Sequence, residues 1–164
     1  TYATKKMVTV YSTGAQDGLV LESAETSNIG GTMNSAATTF NLGDDAANKQ
    51  YRAILHFNTA SLPDTAVITK VTLKIRKQGL VGSDPFATLG KILVDIRTGA
   101  FSNNNALQTT DFQAAAHKNA GAIILNTPVN NWYSALLNAS GRAYVNKTGT
   151  TQFRLRFQMD VESH

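Results

Sequence analysis

Apolar and polar residues alternate with a period of two along much of this chain. The clearest case is residues 51–57 (YRAILHF), where the odd positions are apolar and Arg52 and His56 lie between them. Residues 67–77, 91–98 and 152–159 alternate in the same way. Because successive side chains of a β-strand point to opposite faces of a sheet, this pattern predicts four strands, each with one buried face.

Weaker strand patterns fill much of the remaining chain. They occupy residues 7–12, 19–22, 38–42, 122–125 and 132–137, and turn-forming clusters such as residues 30–31, 43–45, 62–64, 82–85 and 103–105 separate the strands. One short helix is expected from Thr109 or Thr110 to Ala116. A second is expected to begin at Asn138 or Ser140, because Ser, Thr and Asn are common helix caps. Many short strands divided by turns predict an all-β fold, a jelly-roll-like antiparallel β-sandwich with one or two short helices in its connections.

Composition narrows this picture. A length of 164 residues without a repeat or a linker fits one domain over residues 1–164. The chain has no cysteine, which excludes disulfides, thiolate metal sites and cysteine catalysis. No apolar run approaches the ~20 residues that cross a bilayer, so membrane insertion is not expected. The net charge of +4 favours anionic partners but is far below that of a nucleic-acid-binding tail.

Signals of catalysis are weak. The three histidines, His56, His117 and His164, are far apart, and no metalloprotease motif, nucleophile elbow or phosphate-binding glycine loop occurs. The acidic residues fall in predicted turns, where carboxylates more often bind backbone amides than perform glycoside hydrolysis. The sequence therefore predicts a protein that is not an enzyme.

One acidic loop is a candidate for structural calcium. Residues 43–48 (GDDAAN) place Asp44 and Asp45 beside other oxygen donors, and calcium prefers carboxylate and carbonyl oxygens. The loop lacks the alternating ligands of an EF-hand. The alternative is that both carboxylates bind amides of the turn or pair with Arg52.

A basic face is the most informative cluster. In the four clearest strands one parity supplies the core, and the other collects most of the cations. The candidate ligand-binding residues are Arg52, His56, Lys74, Arg76, Arg97, Arg154 and Arg156, with Asp95 among them. On adjacent strands these guanidinium groups could bind the carboxylates or sulfates of an anionic polysaccharide in bidentate fashion. The alternative is an ordinary solvated face, since outward strand positions often carry Lys and Arg.

Trp132 and Tyr133 are candidates for stacking on sugar rings. Neighbouring residues of a strand point to opposite faces, so one of the two must face the core.

Several segments, taken in order, resemble the DNRLRE-domain family of secreted bacterial surface proteins, which is related to alginate-type carbohydrate-binding modules. The segments are residues 17–22 (DGLVLE), 28–31 (NIGG), 42–45 (LGDD), 51–58 (YRAILHFN), 61–63 (SLP), 66–73 (AVITKVTL), 93–101 (LVDIRTGAF), 111–112 (DF), 132–134 (WYS) and 148–157 (TGTTQFRLRF). Their order and spacing carry the resemblance more than any one segment does.

The resemblance implies a non-catalytic jelly-roll module on the outside of a bacterial cell, bound to polysaccharide or to a surface scaffold. It also implies that Arg52 corresponds to a strand arginine of the family, as a structural or a binding residue. Family members continue past the strand that matches residues 153–157 into a further strand, whereas this sequence ends at residue 164.

Either the sequence is truncated, or the further strand comes from another molecule. Residues 1–13, which alternate and precede the family match, are a candidate donor strand for a second copy. Head-to-tail donation does not close on itself, so it would build a filament. A structural subunit of an extracellular filament or surface layer is therefore the alternative to a carbohydrate-binding module.

Overall fold

The computed structural model describes residues 5–159, which form nine β-strands, two short α-helices and two 3₁₀ helices. The strands are β1 (Gly18–Glu22), β2 (Gly30–Asn34), β3 (Gly43–Asp44), β4 (Gln50–Asn58), β5 (Thr72–Arg76), β6 (Ile92–Thr98), β7 (Lys118–Ile124), β8 (Trp132–Leu136) and β9 (Thr150–Phe157). The helices are α1 (Pro85–Thr88) and α2 (Ala139–Arg142), and the 3₁₀ helices are Phe101–Asn103 and Thr109–Phe112.

The strands form one large and one small antiparallel sheet. The large sheet has the order β2-β1-β4-β9-β6-β7, with β3 paired to the start of β4. The small sheet contains β5 and β8. The all-β fold that the alternation predicts is confirmed, and the jelly-roll topology stays a prediction.

The main core lies between the small sheet and one face of the large sheet. Strand β9 contributes Phe153, Leu155 and Phe157, and all three are buried, as their shared parity predicts. From the small sheet, Leu73 and Tyr133 pack into the same cluster. The period-two pattern therefore assigned the core residues of these strands correctly.

The opposite face of the large sheet is also covered. Residues 99–117, here called the covering segment, contain both 3₁₀ helices and lie across this face. Phe101, Leu107 and Phe112 of the segment pack on Val20 and Ile54 of the sheet in a second buried cluster. The large sheet is therefore buried on both sides in this region.

Most of the predicted strands are present, with shifted ends. Of the strand expected over residues 67–77, only β5 forms. It begins at Thr72 because its partner β8 ends at Leu136, just before Asn138 caps helix α2. The strand expected over residues 152–159 is β9, which begins and ends two residues earlier than expected. Residues 7–12 and 38–42 form no strand, so those two predictions are wrong.

Two strands and one helix occur where the sequence predicted turns. Strand β2 begins at Gly30, where a Cβ atom would lie 1.9 Å from the Thr109 carbonyl oxygen, so the glycine serves close packing rather than a turn. Strand β3 lies in the acidic turn. Helix α1 follows Asp84, which accepts a hydrogen bond from the Phe86 amide and so caps a helix with proline at its first position.

The two expected helices are present in shorter form. Asn138 caps α2 by accepting a hydrogen bond from the Gly141 amide at 2.8 Å. Near the other predicted site the cap is Gln108, and Asp111 accepts from the Gln108 amide at 3.0 Å to complete a capping box.

Within residues 5–159 no helix is both long and apolar enough to span a membrane. Residues 160–164, where the chain departs from the resembled family, lie outside the described residues.

Candidate functional site

The predicted basic residues belong to two different sheets. Five of them are on the large sheet: Arg52, His56, Arg97, Arg154 and Arg156. Lys74 and Arg76 are on β5 of the small sheet, on the far side of the main core. The expectation of one continuous basic face is therefore wrong, because the strands that carry these residues do not all neighbour one another.

On the large sheet the arginines hold the covering segment. Arg154 donates hydrogen bonds to the carbonyl oxygens of Asp111 at 3.1 Å and Ala114 at 2.5 Å. Arg52 donates to the Phe112 carbonyl at 2.7 Å. Arg97, on β6, reaches the same stretch and donates to Ala115 at 2.8 Å. Arginines from three neighbouring strands thus satisfy the carbonyl oxygens of residues 111, 112, 114 and 115.

Aromatic rings of the covering segment lie against two of these guanidinium groups. The Arg52 guanidinium carbon is 4.0 Å from the centre of the Phe112 ring, and that of Arg154 is 4.8 Å from the centre of the Phe101 ring. Such contacts are favourable because the face of an aromatic ring attracts a cation, most strongly where water is excluded.

Asp95 supplies the opposite charge. Its carboxylate is fully buried and accepts hydrogen bonds from Arg154 Nε and Arg156 Nε, both at 2.9 Å. It also accepts from the Ala120 amide at 3.0 Å. Burial alone would raise the pKa of Asp95, but the hydrogen bond from Arg156, the charges of Arg154 and Arg156 and the Ala120 amide hold that pKa below its ordinary value of 3.8.

The basic groups respond to burial in the opposite direction. Burial, together with the charges of Arg154 and Arg156, lowers the pKa of Arg52 to about 10. Burial likewise lowers the pKa of Arg154, and the charge of Asp95 opposes that effect. With a pKa of about 10, Arg52 is cationic at neutral pH. Both guanidinium groups are nevertheless engaged in contacts within the protein, and Arg154 is only 4% exposed.

His56 is buried as well. Its Nδ1 atom is 2.9 Å from Nε2 of Gln152, whose Oε1 accepts from the Phe101 amide. Because that amide nitrogen must donate, Gln152 presents its NH₂ group to the histidine, and His56 Nδ1 is the acceptor. Burial lowers the pKa of His56 below 6.5, while the charge of Asp17 opposes the shift. The exposed ligand face expected at Arg52, His56 and Arg154 is therefore replaced by a buried polar layer.

The acidic loop has an internal role. Asp45 Oδ1 accepts hydrogen bonds from the amides of Ala47 at 2.8 Å and Lys49 at 2.9 Å, and the Lys49 ammonium is 3.8 Å from the same carboxylate. Asp44 pairs with Gln50 through strand β3. Turn stabilisation is thus confirmed for Asp45. Across residues 5–159 no cluster of three His, Asp or Glu side chains is arranged to hold a metal ion.

The small sheet carries the exposed site. Its outer surface, here called the tryptophan face, consists of Lys74 and Arg76 from β5 and Trp132, Ser134 and Leu136 from β8. Arg76 is directly opposite Trp132 in the register, and Lys74 is directly opposite Ser134. Two cations therefore stand one strand away from the aromatic ring.

Alternation along β8 determines which aromatic residue is exposed. Tyr133 is buried and its ring stacks 5.6 Å from that of Phe86, whereas Trp132 is 45% exposed. The two residues thus divide between core and surface, as predicted for neighbours in a strand. An exposed indole on a sheet provides a flat apolar platform with a polar N–H at its edge.

A tight turn fixes the position of Trp132. Val129 and Trp132 exchange two backbone hydrogen bonds of 2.9 Å across Asn130 and Asn131. Both asparagines have positive φ angles, 51° and 67°, which are the angles of a type I′ hairpin turn and are well tolerated by asparagine. The Lys77 amide donates to the Asn131 carbonyl at 2.7 Å and ties this turn to β5.

A groove of about 360 Å³ runs along this face. It is lined by Lys74, Val129, Asn130, Trp132 and Ser134. The lining combines an ammonium, an amide, a hydroxyl and an aromatic ring. Sugars present the complementary groups, namely hydroxyls and apolar ring faces.

Val129 and Asn130 were missed by reasoning from the sequence. The Asn130-Asn131 pair before an alternating segment was the available signal for the hairpin that brings them beside Trp132.

No protein-family model matches this chain, and no curated protein or solved structure matches it either.

Proposed function

We propose that this chain is a non-catalytic extracellular module that binds an anionic polysaccharide on the tryptophan face. The observation that carries the proposal is the exposed Trp132 ring opposite Arg76, with Lys74 lining the same groove. The indole would stack on a sugar ring, and the two cations would bind carboxylate or sulfate groups on the same or the next sugar. An extracellular location follows from the resemblance to secreted surface domains.

The proposal assigns different roles to the seven basic residues. Lys74 and Arg76 are exposed and would bind the ligand. The other five, Arg52, His56, Arg97, Arg154 and Arg156, would act only indirectly, because each is hydrogen-bonded within the protein. Arg is suited to the binding role since its planar guanidinium pairs with a carboxylate through two parallel hydrogen bonds.

The single tryptophan makes the test direct, because all tryptophan fluorescence of the chain comes from Trp132. Polyuronate and sulfated polymers should change this emission in a saturable way, and the affinity should fall as salt is added. Trp132→Ala should lower the affinity for the polysaccharide at least tenfold, as measured by calorimetry. Arg76→Ala and Lys74→Ala should each weaken it several-fold and reduce its dependence on salt.

Lys91→Ala is the matched control, since Lys91 is an exposed lysine outside the tryptophan face. It should bind as the parent protein does. Equal affinity for neutral glucans would refute the anionic ligand, and unchanged polymer binding by Trp132→Ala would refute the site.

A further inference from the structure

Strand β5 has one edge whose backbone groups have no partner within residues 5–159. At the two ends of the β5–β8 pair, the Leu137 amide donates to the Val71 carbonyl at 3.0 Å and the Lys77 amide to the Asn131 carbonyl at 2.7 Å. Bonded positions alternate along an antiparallel strand, so positions 71, 73, 75 and 77 bond toward β8. The N–H and C=O groups of Thr72, Lys74 and Arg76 consequently point away from β8. In the part of the chain that the structure describes, no other strand pairs with β5.

Residues 5–12 have the complementary deficit. They form neither helix nor strand, and among the described residues the first backbone hydrogen bond here is from the Thr13 amide to the His56 carbonyl at 2.8 Å. Met7 is 91% exposed and Tyr11 84% exposed. The stretch Val8-Thr9-Val10 between them has high β-propensity.

We propose that residues 5–12 of one copy of this chain add as a strand to the open edge of β5 in a second copy. The acceptor edge offers alternate N–H and C=O groups over residues 72–76. The donor offers a segment with a β-branched run whose backbone makes no hydrogen bond to the rest of residues 5–159. The donor segment is attached at Thr13, whose amide is bonded to His56 near the end of β4. It does not pair with β5 of the same copy. Pairing with another copy would bury Met7, Val8, Val10 or Tyr11 according to the face that each side chain occupies.

Such pairing is heterologous, because the donor segment and the acceptor edge are different surfaces. A chain of such contacts keeps one free donor at one end and one free edge at the other, so repetition yields an open polymer. Assembly by this pairing does not depend on polysaccharide binding. The donor strand would lie at the edge of β5 that is remote from β8 and Trp132.

The first experiment compares the full chain with a variant that lacks residues 1–12. Sedimentation velocity over a hundredfold range of concentration should give oligomers that grow with concentration for the full chain and monomers for the deletion variant. A monomeric full chain would overturn the proposal. Equal assembly by the deletion variant would overturn it as well.

A second experiment locates the contact without altering the acceptor. A synthetic peptide of residues 5–13 is added to the ¹⁵N-labelled deletion variant, and amide hydrogen exchange is followed by NMR. The amides of Thr72, Lys74 and Arg76 should become protected at least tenfold, while those of Leu73 and Ile75, already bonded to β8, should change little. Protection at another edge, or none with saturating peptide, would refute the assignment.

A pair of substitutions at one position separates backbone from side chain. Thr72→Pro removes an outward N–H without removing a bond to β8, and it should weaken peptide binding by at least tenfold. Thr72→Ala keeps the N–H and should bind as the parent does. Equal loss in both variants would contradict backbone pairing, and a circular dichroism melt checks that each variant is folded.

Discussion

Asp95→Asn tests whether the buried arginine layer holds the covering segment. The substitution keeps the shape of the side chain and removes its charge. It also places an NH₂ group or a neutral oxygen where the guanidinium groups of Arg154 and Arg156 now meet a carboxylate. The Arg154 side chain is 5% exposed, so water cannot replace the lost partner, whereas that of Arg156 is 21% exposed and can be hydrated in part.

The magnitude follows from this difference in exposure. Removing one partner of a buried ion pair costs roughly 3–5 kcal/mol, because the other charge is left buried without compensation. Arg154 keeps its bonds to the Asp111 and Ala114 carbonyls, which places the expected loss near the lower end, about 3 kcal/mol. For a chain of this length that corresponds to a fall in melting temperature of about 6–12 °C.

Urea unfolding at pH 7 measures the loss, and Asp64→Asn is the control. Asp64 is exposed in a connection, so its neutralisation should change the free energy of unfolding by no more than about 0.5 kcal/mol. In an Arg154→Met background, Asp95→Asn should cost about 2 kcal/mol less than it does alone, since the buried charge is already gone. A loss below about 1 kcal/mol in the single variant would refute the assigned role of this ion pair.

The stability difference between the parent and Asp95→Asn should depend on pH. The pKa of Asp95 is lower in the folded protein than its ordinary 3.8, so its stabilising contribution is present above pH 3.8 and is lost as the pH falls through the folded value. The difference between the parent and Asp95→Asn should therefore be full at pH 7 and shrink below about pH 4. A difference that persists unchanged into acid would point to packing rather than charge.

Two further predictions concern other buried contacts. The pKa of His56 is lowered, so the parent should lose stability as the pH falls below 6.5, whereas His56→Asn, which keeps an acceptor for Gln152, should lose less between pH 7.5 and pH 5 in urea unfolding. Gly30→Ala should destabilise the protein by about 1–3 kcal/mol because its Cβ atom would clash with the Thr109 carbonyl, while Gly79→Ala, with nothing within 4 Å, should melt close to the parent.

The sequence predicted which residues share a face of a strand, but it did not predict what covers that face. The parity of residues 152–159 correctly placed Phe153, Leu155 and Phe157 in the core and put Arg154 and Arg156 together on the other side. Whether that other side meets water depends on a distant connection. Parity contains no information about such a connection.

The covering segment did carry a signal, though a dispersed one. Phe101, Leu107 and Phe112 follow no strand or long-helix period, so no regular element with an apolar face could be assigned to them. Their burial depends on Arg52, Arg97 and Arg154 satisfying carbonyl oxygens that irregular backbone leaves free. Cationic residues in a strand thus predicted either a ligand surface or a buried anchor, and only the tertiary contacts decide between them.

The surface and assembly proposals separate within the small sheet. Trp132 lies on β8, and its ring projects from the outer face, whereas the open backbone groups belong to β5 and lie in the plane of the sheet. A donor strand added to β5 would therefore widen the tryptophan face without covering it, and Lys74 and Arg76 would become interior to a three-stranded surface. Trp132→Ala should weaken polysaccharide binding in calorimetry and leave assembly intact, whereas Thr72→Pro should weaken assembly and leave polysaccharide binding intact. If either substitution removed both properties, the polysaccharide surface and the donor edge would have to be one site.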